Sequence, residues 1–237
     1  MNLIMELFPS LAKDPETAAN YLAGLIVFAV FAAVFLIIYV GRKKERKRTS
    51  DLRRHAEERG LFFEEKMDIP GSFENIAFFL RGHGIEASNH TASIRAGNHR
   101  FDVFDYEYVT GSGKSRTLHR YACAYSHLKQ TYNRDIPVFE LVPENIFHRI
   151  ADKFTHSDID FEFYPHFSKL YRLTGISEEN VRAFFKPAAL SCLEYHPNLE
   201  IYSNGEDIVI CRKGHLKSEE MFDFEDEVSE IIQVFAM

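Results

Sequence analysis

The chain has 237 residues, with 28 Lys or Arg against 35 Asp or Glu, and a formal net charge of −7 at pH 7. Residues 1–60 hold 10 Lys or Arg and 7 Asp or Glu, leaving 18 against 28 for the remainder. That part is acidic, which sets it against phosphate backbones and argues against nucleic acid as a ligand.

Tyr21–Val40 contains no charged residue. At about 1.5 Å of rise per residue it reaches about 30 Å, the thickness of a bilayer's hydrocarbon core, and reads as a transmembrane helix. Arg42, Lys43, Lys44, Arg46, Lys47 and Arg48 follow at once. Before the span the only cationic side chain is Lys13, so the positive-inside rule places the first 20 residues outside and the rest in the cytoplasm, with 41–60 a basic juxtamembrane segment. A cleaved signal peptide calls for a basic start and a shorter apolar stretch, so the anchor is expected to be retained. A cluster of Lys and Arg beside a membrane also gains about 1 kcal/mol per residue from anionic headgroups, but stop-transfer and orientation alone account for the run.

Ser50 is expected to cap a short helix, DLRRHAEER, closed by Gly60, with Leu52 and Ala56 on one face. Residues 61–65 read as a strand. Pro70 and Gly71 then turn the chain into a short helix capped by Ser72 and stopped near Gly82. Residues 85–95 form a weakly patterned strand, turned back by the AGN at 96–98; the sequon Asn89–Thr91 is a chance match on the cytoplasmic side.

From His99 to Leu128 the period is two: Phe104, Tyr106 and Tyr108 alternate with acids, and Tyr121, Cys123 and Tyr125 alternate again beyond the glycines. This is a β-hairpin with GSGK at its tip, and Lys114 and Arg116 there are candidate interaction residues. GSGKS also matches the tail of a phosphate-binding loop, but that loop's first glycine would fall on Tyr108, and the residues beyond Ser115 keep strand periodicity; no nucleotide is expected.

Residues 136–142 form a further strand, and Pro143 opens a helix whose apolar face is Ile146, Phe147, Ile150, Ala151 and Phe154. Asp158, Asp160 and Glu162 lie two apart and share one face of an extended segment, as metal-binding carboxylates do. Surface turns and strand edges produce the same string, so they stand as metal candidates with no metal assigned. Ser177 caps the helix SEENVRAFF, and Pro187 opens PAALSCLEY, which ends at Pro197. Two strands around Asn204 and Gly205 read as a hairpin with a type I′ turn. From Ser218 the stripe of Met221, Phe224, Val228, Ile231 and Phe235 marks an amphipathic helix, for the core or for a partner's helix.

Cys123, Cys192 and Cys211 are odd in number and lack a CxxC spacing, which argues against a disulfide framework and against a tetrahedral zinc site. Cys192 and His196 fall four apart on a predicted helix, two donors without a third. No cofactor is expected, and a reducing compartment fits.

FDYEYVTGSGK with His119 after it, VFELVPE at 138–144, DIDF at 158–161 and PHFSKLYRLTG at 165–175 resemble a family of uncharacterised bacterial proteins. Those pair an amino-terminal membrane segment with a soluble domain of unknown function. The resemblance spans roughly residues 99–235, lends no catalytic residues, and implies a bacterial inner membrane.

The expected architecture is therefore α+β: one transmembrane helix, then a cytoplasmic domain over 61–237 of antiparallel hairpins packed with helices, possible as two lobes split near residue 156. Its expected role is a membrane-tethered interaction or scaffold domain that binds a protein or a second copy of itself. The alternative is a metal-assisted hydrolase using Asp158, Asp160 and a nearby His.

Overall fold

The computed structural model describes residues 15–128, 136–144 and 158–236. One helix, α1, runs from Pro15 to Glu58. Its apolar part is long and apolar enough to cross a membrane, and its side chains are exposed, Phe28 at 72% and Ile37 at 71%. Ser50 lies inside this helix and starts no helix of its own. The Lys, Arg and Glu before it are strong helix formers, and no Pro or Gly interrupts the ladder between Gly41 and Gly60. The stop is where the sequence places it. Gly60 takes φ +67, its N–H bonds to Glu57 O at 3.0 Å and Leu61 N–H to Ala56 O at 2.8 Å, the paired bonds of a Schellman cap.

The chain divides into two compact units, residues 1–48 and 49–237. The second is built on an eight-stranded antiparallel sheet. β1 (Phe62–Met67), β2 (His83–Ala96), β3 (His99–Thr110) and β4 (Thr117–His127) form a meander; β5 (Val138–Pro143), β6 (Tyr171–Gly175), β7 (Leu199–Asn204) and β8 (Asp207–Lys213) complete it, in the order β1-β2-β3-β4-β8-β7-β5-β6. The helices are α2 (Pro165–Leu170), α3 (Glu178–Phe184), α4 (Pro187–Tyr195) and α5 (Ser218–Ala236). The structure is thus α+β, as the hairpin patterning implies. Residue 156 and the helix expected after Pro143 lie outside the described residues; Pro143 itself ends β5, and β5 pairs with β6 and β7 within the same sheet.

Because side chains alternate along a strand, each strand feeds two cores. Val103, Ala122, Leu141, Ile201 and Ile210 face α4, α5 and the last turns of α1, where Leu52 and Ala56 are buried. The α5 stripe belongs wholly to this core: Met221, Phe224, Val228, Ile231 and Phe235 are at most 7% exposed. At about 1.5–3 kcal/mol per fully buried Phe, Val or Ile, it is a principal source of stability and offers nothing to a partner. Glu225, 2% exposed, accepts from Arg59 and stands 3.4 Å from His55, tying α5 to residues 49–58. Burial raises its pKa, against the pull of Arg59 and His55.

The opposite face is aromatic. Phe104, Tyr106, Tyr108, Tyr121 and Tyr202 rise from it and are roofed by Phe73, Ile76, Phe78 and Phe79. Here the expected α-helix after Pro70 is replaced by two 3-10 turns, Gly71–Asn75 and Ala77–Leu80, and Ser72 makes no cap. The reason is the spacing. Phe73, Ile76 and Phe79 recur every three residues, the 3-10 period, and the extended Ile76 between the turns lets Phe78 and Phe79 both point inward.

Three local features complete the frame. The β7–β8 turn is not type I′: only Gly205 of its Asn-Gly pair has positive φ (+98), and Asn204 acts through its side chain, accepting from Glu206 N–H at 2.9 Å and Asp207 N–H at 2.8 Å. Asn89 is buried and donates to Asp105 at 2.7 Å, so its amide is engaged inside the sheet. His90 stands between Glu64 of β1 and Asp102 of β3; burial opposes its charge, yet those two carboxylates prevail and raise its pKa.

Candidate functional site

Arg81 leaves the second 3-10 turn and enters the aromatic face. Its Nη1 donates to Glu200 Oε2 at 2.9 Å and its Nη2 to the Tyr202 hydroxyl at 2.6 Å; that hydroxyl donates to the same Glu200 oxygen at 2.6 Å. The guanidinium carbon lies 5.2 Å from the Phe78 ring centre and 5.0 Å from that of Tyr202. Period two explains the pairing of acid and phenol, since Glu200 and Tyr202 share a face of β7. Glu200 is fully buried, and its Oε1 has no hydrogen-bond partner among the described residues.

The titratable groups around it are locked. Burial works against the charge of Arg81, but Tyr202 and Glu200 raise its pKa well above the usual value. Burial, then the charge of Glu200, pushes Tyr121 and Tyr202 far up as well, so these phenols remain donors at neutral pH. A general base or nucleophile needs a pKa near the working pH. These groups are tuned away from it.

Beside this cluster opens a cleft of about 170 Å³, lined by Ala77, Val138, Glu140, Gly175, Ile176 and Tyr202 among others. Burial raises the pKa of Glu140, against the pull of Arg81. Small-molecule pockets run to about 300–1,000 Å³, so this cleft suits one or two side chains. Its rim is apolar and open: Val138 is 38% and Ile176 72% exposed. Gly175 is required at its edge, because a Cβ there would fall 2.6 Å from Val181 Cγ2 and 2.9 Å from Val138 O.

The residues singled out in the sequence lie elsewhere. Asp158 accepts from Leu173 N–H at 3.0 Å, while Ile159 N–H bonds to Leu173 O at 2.8 Å; together they cover the outer edge of β6. Asp160 offers its backbone carbonyl to Arg182 at 2.6 Å, and Glu162 sits exposed in a turn. Of the three carboxylates, that of Asp158 is given to the strand edge. Among the described residues, the three donors that do converge are Cys192, His196 and Glu230. Lys114 and Arg116 are exposed at the hairpin tip, where a 3-10 turn at Gly113–Ser115 leads into β4. With a strand in that place, the tip lacks the helix N-terminus that a phosphate loop uses. Arg42, Lys43, Lys44, Arg46 and Lys47 are exposed along α1, and Arg48 pairs with Glu45 at 3.5 Å.

No protein-family model matches the chain, and no curated protein matches it either. Among solved structures, the crystal structure of the mycobacterial trehalose monomycolate transport factor A, TtfA, aligns with 80% of this chain and 96% of its own, at a TM-score of 0.50 and 9% identity. The likeness is one of fold. At that identity it carries no residue across, so the site rests on the geometry above.

The sequence reading missed Arg81, Glu200 and the cleft. The one available signal was Glu200 in LEIYS: an acid alternating with apolar positions in a strand that proves buried on both faces.

Proposed function

We propose that residues 49–237 form a non-enzymatic binding domain tethered to the bacterial inner membrane, with its bulk in the cytoplasm, and that it docks a segment of another protein in the cleft beside Tyr202. The observation that carries this is the contrast within one face: Arg81 is paired with Glu200 inside, while the cleft beside them has an apolar, open rim of Val138 and Ile176. A groove of that size takes an apolar anchor residue, which is how hot spots bind. The hairpin tip, with Lys114 and Arg116, supplies a second surface. Tethering confines the domain to two dimensions and raises its effective concentration, so a modest affinity suffices. The exposed apolar span and the basic run after it support the orientation. A fold held in common with a transport factor agrees with a role in which nothing is catalysed.

Orientation is tested with protease on intact spheroplasts. Residues 61–237 are expected to survive, and their digestion from outside would reverse the topology. Docking is tested by a photo-crosslinker at Ile176 of the full chain in native membranes. A discrete adduct is expected, lost when Val138→Glu charges the rim and absent with the probe at Glu162. An adduct indifferent to Val138→Glu would remove the cleft from the interface.

A further inference from the structure

Cys192 and His196 stand one helical turn apart at the end of α4, so their side chains lie on one face. α5 runs past that face, and its Glu230 places Oε2 3.0 Å from His196 Nε2. One ligand atom from each of the three residues lies within 4.8 Å of the other two. We infer that Cys192, His196 and Glu230 bind a divalent transition metal, with zinc the ion their donors suit best, and that the ion clasps α4 to α5.

The donor set makes the choice of metal. Sulfur and imidazole favour zinc over the oxygen-seeking magnesium and calcium. A tetrahedral zinc with bonds of about 2.0–2.3 Å sets its donors roughly 3.3–3.6 Å apart. The His196–Glu230 contact is already close to that, so the remaining closure is on the order of 1 Å. A thiolate and a carboxylate cancel the two charges of the ion, and the imidazole stays neutral. Water takes the fourth position. Binding replaces the thiol hydrogen by metal, so one proton leaves for each ion bound.

Behind the ring lies a further charged pair. The other ring nitrogen, Nδ1, faces Glu227 Oε1 at 3.8 Å, and Glu227 is held in turn by both terminal nitrogens of Arg212. At that distance the carboxylate acts on the ring through its charge, which favours a cation on the far nitrogen. The backbone is pinned too: His196 O accepts from the Tyr171 hydroxyl at 2.5 Å. The third donor was invisible in the sequence because Glu230 follows His196 by 34 residues and only the packing of α5 on α4 joins them.

The test uses the full chain in detergent, stripped with a chelator and titrated with cobalt(II), then zinc. One cobalt per chain is expected, with tetrahedral visible bands and a near-ultraviolet thiolate-to-cobalt band, both erased by zinc. Cys192→Ser is expected to remove the thiolate band and weaken zinc at least tenfold. Glu227→Gln, behind the ring, removes charge alone and is expected to weaken zinc less than Cys192→Ser does. Glu230 is 64% exposed, so Glu230→Gln folds, and its thermal midpoint should no longer rise with zinc as the parent's does. Cobalt spectra without a thiolate band, or zinc affinity unchanged in both Cys192→Ser and Glu230→Gln, would overturn the assignment.

Discussion

Arg81→Met is expected to destabilise the domain by about 3–5 kcal/mol, read as a shift of the urea midpoint for the full chain in detergent. The reason is the charge it strands. Glu200 is 1% exposed at its side chain, and without the guanidinium its carboxylate keeps, among the described residues, only the Tyr202 hydroxyl. A buried charge stripped of its partner costs far more than the pair gains over an apolar substitute. The double replacement Arg81→Met with Glu200→Leu should therefore recover most of the loss. A midpoint unmoved by Arg81→Met would mean that water reaches the pair.

Phe78→Ala carries the second large effect, about 3–5 kcal/mol. Phe78 is fully buried, with ring centres of Tyr106, Tyr121 and Tyr202 at 5.4, 5.1 and 5.4 Å, and the Arg81 guanidinium over its face. Truncation opens a cavity and removes the surface on which Arg81 rests. Phe78→Leu, which keeps most of the volume, should cost much less. If Phe78→Ala cost under about 1 kcal/mol, the 3-10 segment would be a detachable roof outside the cooperative core.

Elements whose cause is local were legible in the sequence. The apolar run of Tyr21–Val40, the alternation around Tyr106 and Tyr121, and the stripe of Phe224 and Val228 each state their own period. Features made by distant contacts were not. β6 follows α2 with no turn residue between Leu170 and Tyr171, so nothing local marks it as a strand. Asp158 looked like a ligand because a carboxylate that accepts a backbone N–H has the same sequence signature as one that meets a cation. Arg81 and Glu200 are 119 residues apart, and only the fold makes them partners.

The seam between β4 and β8 has a consequence for how the chain is made. Cys123 and Cys211 face each other across it as free thiols, 3.2 Å between sulfurs and 88 residues apart in sequence. The meander from β1 to β4 can assemble as soon as it is synthesised, but β4 then shows a bare edge until β8 arrives. At about 5–20 residues per second a ribosome takes roughly 4–18 s to close that gap. For that interval the nascent chain carries an unpaired strand edge ending in an unfinished aromatic face, the kind of surface on which strands of neighbouring chains mispair.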